Sequence, residues 1–241
     1  MRALIHRVLS QGRHELRELF PLPGPHSEAG SRPCGTEGRE EKEVIITFEG
    51  GEGTGKTTNA ARLCSFLTMK GLPWLSFREP GGTSLSERIR TLFLDHGMDA
   101  MTELMLVLAS RRQNIKDIIE PGLAAGRVIV IDRFIDSTMV YQGVLGGLGS
   151  RTVRSIMEMS GTWIEPDLTF VLDVSPELAL ARIEPSDRFE LQDIGYHRRL
   201  REAFLAMATE SRHRIVDTNR DRALVQAHIQ SECGAILHLA G

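Results

Sequence analysis

Lys56 and Thr57 close the run Gly50-Gly51-Glu52-Gly53-Thr54-Gly55-Lys56-Thr57, with Thr58 directly after it. Glycines, lysine and hydroxyl stand at the G-x-x-x-x-G-K-[ST] spacing of a phosphate-binding loop. The chemistry needs these types at these places. Glycines let successive backbone N–H groups turn inward around phosphate oxygens. A lysine then reaches the β- and γ-phosphates, and a hydroxyl helps to hold Mg²⁺. The run Gly50 to Thr58 is therefore expected to bind a nucleoside triphosphate. It does not say what is done with the triphosphate.

Further groups suit the same ligand or a second one. Asp132 follows the apolar run Val128-Ile129-Val130-Ile131, where a phosphate-loop protein keeps the carboxylate that helps to hold Mg²⁺; it could also simply start a turn. Arg78, Arg111, Arg112 and Arg133 are more cationic forks than one triphosphate needs, so together they point to a second anion such as a phosphorylated acceptor. Of the adjacent pair Arg111-Arg112, one side chain is expected to be solvated. Glu52 lies inside the loop, where a carboxylate repels triphosphate unless a metal or a substrate hydroxyl offsets it. It is thus a candidate ligand for Mg²⁺ or for an acceptor hydroxyl, with a solvent-facing carboxylate as the plain reading. The segment 182–190, Arg-Ile-Glu-Pro-Ser-Asp-Arg-Phe-Glu, reads either as a lid carrying Arg182 and Arg188 to the transferred phosphate or as an ordinary helical connection.

These residues need a scaffold. Val44–Phe48 reads as a buried strand leading into the loop, and 59–70 as the helix after it. Strands are expected at 74–77, 128–131, 168–174 and 214–216. Helices are expected around Leu85–Phe93, over 101–119 (ended by Pro121-Gly122), over 152–159, from Pro176, over 191–209 and over 222–239. Strands that are apolar throughout and alternate with helices indicate a parallel sheet covered on both faces. Ligands of such sheets bind beyond the carboxyl ends of the strands. The glycine loop, Arg78 and Asp132-Arg133 all fall there and should share one cleft.

The 241 residues are 41% hydrophobic and 25% charged, with a net charge of −3. That is ordinary globular composition, with no global attraction to nucleic acid or to a membrane surface. No apolar run is long enough to cross a bilayer. Cys34, Cys64 and Cys233 are scattered, which suggests a reducing compartment and neither a disulfide framework nor a zinc site. Residues 1–43 differ from the rest. The first twenty carry Arg2, Arg7, Arg13 and Arg17, and a stretch rich in Pro, Gly, Ser and charge follows. This reads as a disordered or dispensable extension ahead of a domain over 44–241. An organelle-targeting peptide is the other reading, and the scarcity of serine in the basic segment argues against it.

Several motifs agree in order and spacing with one family. They are Phe48-Glu49-Gly50 leading into Gly55-Lys56-Thr57-Thr58, then Arg78-Glu79-Pro80-Gly81-Gly82-Thr83, then Asp132-Arg133-Phe134. Ser137-Thr138, Tyr141-Gln142-Gly143, Pro166-Asp167-Leu168-Thr169, Leu172-Asp173-Val174 and Asp187-Arg188-Phe189-Glu190 follow. Over 44–208 the chain resembles thymidylate kinase of the bacterial type. The resemblance implies a P-loop three-layer α/β/α fold with a five-stranded parallel sheet and a short lid. It implies ATP-dependent phosphorylation of dTMP to dTDP with Mg²⁺, a cytoplasmic location and a homodimer, with no nucleic-acid or membrane partner.

Carried over by position, the resemblance puts Arg78 and Arg133 on the dTMP phosphate, Arg111 on the thymine edge, Thr138 facing the base, Tyr141 under the deoxyribose and Glu52 near the 3′-hydroxyl. Pro80, Val107, Ser137 and Gln142 complete the implied dTMP site. Thr57, Asp132 and Glu52 are the implied metal-site residues. Lys56, Arg133, Glu52 and the lid arginines Arg182 and Arg188 are the implied catalytic set. Gly53 stands where some members have a loop arginine, which leaves that role to the lid. Val107 stands where the family usually has a Phe that stacks on thymine, and the lid is short, with few arginines. A kinase of the same fold acting on dUMP or dCMP is the nearest alternative. A nucleotide-switch ATPase is a distant one, since it has no use for the arginine group.

Overall fold

Residues 43–239 are described in a computed structural model of the chain. The expectation of a disordered extension, and Cys34 with it, falls outside them apart from residue 43. In chain order, β1 (Ile45–Glu49) runs into the glycine loop and α1 (Lys56–Met69). β2 (Trp74–Arg78), α2 (Ser84–Asp95) and α3 (Ala100–Asn114) follow. A π-helical turn (Ile115–Ile119) leads straight into α4 (Glu120–Ala124) and then β3 (Val128–Asp132). After β3 come α5 (Ile135–Thr138), a second π-helical stretch (Met139–Leu145), α6 (Ser150–Met159), β4 (Leu168–Asp173) and α7 (Pro176–Leu180). The chain closes with α8 (Ile194–Met207), β5 (His213–Asp217) and α9 (Arg222–Ile236).

The sheet has five parallel strands, as expected, and their order is β2-β3-β1-β4-β5. Phe48 pairs with Asp132 and with Phe170, and Arg78 pairs with Asp132, so the carboxyl ends are level. Side chains alternate across a strand, and the core divides accordingly. Ile46 and Phe48 of β1 and Val128 and Val130 of β3 pack on one face with Leu63 and Leu67 of α1 and Ile229 of α9. Ile45, Ile129 and Ile131 pack on the other face with Leu104 and Leu108 of α3, Phe134, and Val153 and Met157 of α6. This is a three-layer sandwich. It also explains why the inner strands β1, β3 and β4 are largely apolar, since both their faces are covered, whereas the edge strands β2 and β5 keep exposed residues.

Three expectations need correction. The helix over 101–119 was expected to stop at Pro121-Gly122, yet helical backbone continues to Ala124. A proline breaks a helix by removing the N–H that bonds four residues back. Here the ladder is already re-registered by the wide turn, where the Glu120 N–H reaches Ile115 O, and Pro121 sits in the first turn of the next segment. Second, 135–145 is helical although the pattern predicts nothing there. Its buried Asp136, Ser137, Thr138 and Gln142 spoil the apolar stripe on which a helix reading depends. Third, α1 begins at Lys56, so the glycine loop turns directly into the helix.

Candidate active site

The glycine loop is shaped by left-handed backbone at Gly53 (φ 67°) and Gly55 (φ 93°). A Cβ on Gly53 would lie 2.1 Å from the carbonyl oxygen of Ala179, so the loop is pressed against the end of α7. Lys56 Nζ donates to Gly51 O at 2.6 Å. Burial, and then repulsion from Arg133, bring its pKa down to about 8, against the pull of Glu52, Asp132 and Glu49. The first turn of α1 carries N–H groups with no intrahelical partner, which together with the loop amides suit an anion. At the same end Thr57 Oγ1 donates to Asp132 Oδ2 at 2.6 Å. Among the described residues no cluster of three or more His, Cys, Asp or Glu could hold a metal by itself. A hydroxyl beside one carboxylate is nevertheless the donor set for Mg²⁺ that shares its coordination with phosphates and water.

Beyond the loop lies a second set of groups. Arg133 follows β3 with a left-handed backbone (φ 68°). Its Nη2 donates to Glu52 Oε2 at 2.6 Å and its Nη1 to Gly50 O at 2.9 Å. Tyr141 Oη donates to the other Glu52 oxygen at 2.7 Å, and the Arg133 guanidinium lies 5.3 Å from the Tyr141 ring centre. Burial would raise the Glu52 pKa, but Arg133, Lys56 and the Tyr141 hydroxyl outweigh it and bring it to about 2. Glu52 is therefore a largely covered, ionised carboxylate turned toward Arg133 and Tyr141 and not into open solvent.

Arg111 is 1% exposed. Nε donates to Glu79 at 2.7 Å, Nη2 to Thr138 Oγ1 at 2.8 Å and Nη1 to Met157 Sδ at 3.2 Å, and the group lies over the Phe134 ring. Burial raises the pKa of Glu79, while Arg111 and Asn114 act against that rise. Arg112 is the solvated member of the pair and bonds to Gly161 O.

Both sets line one cavity of about 670 Å³, within the range of ligand pockets. Gly53 to Thr58 and Asp132 lie along one part of its lining. Arg78, Pro80, Val107, Arg111, Arg133, Ser137, Thr138, Tyr141 and Gln142 line the rest. Arg78, half exposed, reaches Glu87 at 3.5 Å. Pro80 follows a cis peptide and its carbonyl accepts from Arg90 Nη1 at 3.0 Å. Ser137 donates to Glu49, and Gln142 to Glu103.

The lid segment has no regular helix, and its two arginines diverge. Arg182 lines the cavity and donates to Thr218 O at 3.4 Å. Arg188 is absent from the lining. Nε bonds to Phe93 O, Nη2 pairs with Glu103 at 2.5 Å, and the guanidinium lies 4.2 Å from the Phe189 ring centre.

A family model described as thymidylate kinase matches residues 48–229. A thymidylate kinase of Symbiobacterium thermophilum is 42% identical over 194 residues, covering 78% of this chain and 91% of that protein. One of Pseudomonas syringae pv. tomato is 40% identical over 204 residues, covering 81% and 97%. The crystal structure of thymidylate kinase from Ehrlichia chaffeensis superposes with a TM-score of 0.64 at 30% identity, over 79% of this chain and 98% of that one.

The chain belongs to the thymidylate kinase family.

Two of the positions singled out in the sequence, Gly53 and Val107, have structural counterparts. Gly53 has no room for a side chain, because the Ala179 carbonyl occupies the place where a Cβ would go. Val107 lies in an apolar cluster with Phe93 of α2 and Phe189 of the lid, whose rings stack with centres 5.4 Å apart. The aromatic surface missing from α3 is thus present beside it, carried by other elements.

The sequence reading missed both of these rings, and Arg90 as well. Arg90 lines the cavity, and its pKa is lowered by burial and then by Arg78. It sits among Glu87, Arg88 and Thr91 on a helix that reads as solvated, so only the fold reveals it. Arg62, Asn219, Arg220 and Arg222 also line the cavity, and they too are revealed only by the fold.

Proposed function

We propose that this chain transfers the γ-phosphoryl group of ATP to dTMP, giving dTDP and ADP. One observation carries the reading: a single cavity joins a phosphate-loop end to an arginine-rich end formed by Arg78, Arg90, Arg111 and Arg133. A triphosphate engaged by Lys56 leaves that second set for another anion. In this reading Arg133 and Arg78 hold the acceptor phosphate. The two Arg111 N–H groups not engaged by protein are available to a base carbonyl. Glu52 and Tyr141 frame the deoxyribose.

A phosphate oxygen of dTMP attacks the γ-phosphorus in line as the bond to the ADP oxygen breaks. No covalent enzyme intermediate is required. The chain's contribution is positioning and charge neutralisation. Lys56 neutralises charge on the β- and γ-phosphates, and Arg182, the lid arginine on the cavity wall, is the candidate for the transferred group. Thr57 and Asp132 are the residues that would hold Mg²⁺, which when bound withdraws charge from the β- and γ-oxygens. Glu52, already neutralised by Arg133, is better suited to a sugar hydroxyl than to the metal.

Assay with Mg-ATP and a panel of dTMP, dUMP and dCMP tests the reading. Transfer to dTMP well ahead of the others is expected. Preferred transfer to dUMP or dCMP would move the assignment to another nucleotide, and hydrolysis of ATP indifferent to all three would end it.

The rest of the reading concerns assembly and place. Among the described residues no helix is long and apolar enough to cross a membrane; a cytoplasmic location without a nucleic-acid partner is part of the same proposal. Leu85 and Leu92 of α2 and Met101 and Met105 of α3 are between 37% and 49% exposed, an apolar surface that a second copy would cover. A homodimer is the expected assembly. Light scattering that gave the mass of one chain would oppose it.

A further inference from the structure

Glu49 is the last residue of β1 and is fully buried. The triphosphate and acceptor roles above leave it without a task. On its strand it points away from Phe48, toward the layer that contains α5. Its two oxygens are both used by the segment that follows β3. Oε1 accepts from the Phe134 N–H at 2.7 Å, and Oε2 accepts from Ser137 Oγ at 2.5 Å. Phe134 is the residue that precedes α5, so its N–H has no intrahelical partner. The carboxylate supplies one, and in doing so braces the turn in which Arg133 takes its left-handed backbone.

The second bond has a further effect. A serine hydroxyl has one proton, and with Glu49 ionised, as it is above about pH 7, that proton goes to Glu49. The oxygen's lone pairs are left facing Arg133, whose Nη1 donates to Ser137 Oγ at 3.3 Å as well as to Gly50 O. Nη2 is thereby directed toward Glu52 and the cavity. Asp136 stands next to this assembly, its own charge matched by a two-pronged contact from Arg212 and by His213, so Glu49 and not Asp136 is the acceptor for Ser137.

We propose that Glu49 is a positioning residue: through the Phe134 N–H and the Ser137 hydroxyl it sets the orientation in which Arg133 meets the acceptor phosphate. This rests on the reading of Arg133 as an acceptor-binding group.

Glu49→Gln separates bracing from polarity. The amide oxygen must still face the Phe134 N–H. The amide nitrogen then donates to Ser137 and turns the hydroxyl proton toward Arg133, donor against donor. Assayed at about pH 8, where Glu49 of the wild type is ionised, the expected result is a KM for dTMP raised about tenfold, the size of one lost hydrogen bond to a charged group. The KM for ATP should stay within about twofold. Ser137→Ala should raise the KM for dTMP in the same direction. Adding Glu49→Gln to it should change little more, because no hydroxyl remains to be reversed.

An unchanged KM for dTMP in folded Glu49→Gln, equal rises for both substrates, or additive effects in the double variant would overturn the proposal. If Glu49→Gln does not fold, Ser137→Ala decides alone, and a wild-type KM for dTMP in that variant overturns it. The wild-type chain is assayed first. Failure of that chain to phosphorylate dTMP removes the function reading and this inference together, whereas a normal wild type with a silent Glu49 removes only the inference.

Discussion

Arg133 and Glu52 face each other across the site at 2.6 Å, with 17% and 15% of their side chains exposed. The pair is buried deeply enough that breaking it leaves an uncompensated charge, which costs about 3–5 kcal/mol. Arg133→Ala is therefore expected to do two things. It should lower stability by an amount of that order, and it should raise the KM for dTMP by about 100-fold while that for ATP moves a few-fold at most. Adding Glu52→Gln should recover much of the stability and none of the dTMP affinity. Thermal unfolding and steady-state kinetics on the three proteins separate the two effects. Equal weakening of both substrates would contradict an acceptor role.

Much of this site was legible in the sequence because strand ends, the glycine loop and one-residue registers are local features. The apolar run Val128–Ile131 puts Asp132 at the carboxyl end of a strand whatever the rest of the chain does. Less legible were groups whose neighbours are set only by packing. Phe93 and Phe189 are 96 residues apart by their numbering and meet because α2 and the lid converge. Ser137, Thr138 and Gln142 were found through the family resemblance, yet their helix was not, because polar side chains turned toward a cavity erase the apolar periodicity. Arg188 was read as a group for the transferred phosphate, and its pairing with Glu103 could not be anticipated from a lid sequence with several charges.

The different surroundings of the two lid arginines lead to different expected defects. Arg182→Ala should lower kcat by about 100-fold with both KM values nearly unchanged, the pattern of an interaction made only in the transition state. Arg188→Ala releases Phe93, Glu103 and Phe189, so it should chiefly raise the KM for dTMP. Exchanged phenotypes would mean that the lid rearranges on binding and brings Arg188 to the phosphates.

Replacing Gly53 tests the close approach to Ala179. Even Gly53→Ala places a methyl group 2.1 Å from a backbone oxygen and forces a left-handed φ on a non-glycine residue. Stability should fall by about 1–3 kcal/mol, with a larger loss of ATP affinity because the loop must shift. Gly53→Arg, with a longer side chain at the same place, should be worse and should gain no activity. Wild-type melting and ATP binding in Gly53→Ala would show that α7 yields freely.

Glu49 gives a stability prediction with a definite sign. Burial, and then Asp136, push its pKa from the ordinary 4.5 up to about 7, even though Ser137, the Phe134 N–H and Arg133 favour the charged form. The folded chain thus holds this proton more tightly than the unfolded chain. The contribution is fully present below about pH 4.5 and is lost as pH rises through about 7. Asp136 is shifted the opposite way, downward, because Arg212 and His213 outweigh its burial, so its contribution is lost only in acid. Between about pH 5 and pH 8 the Glu49 effect should therefore dominate this buried pair and lower stability by something on the order of 2–3 kcal/mol. Glu49→Gln has no proton to lose, so its stability should be flatter over that interval. Denaturant unfolding of both proteins at the two pH values measures the difference. A variant with the wild-type slope would place the titrating group elsewhere.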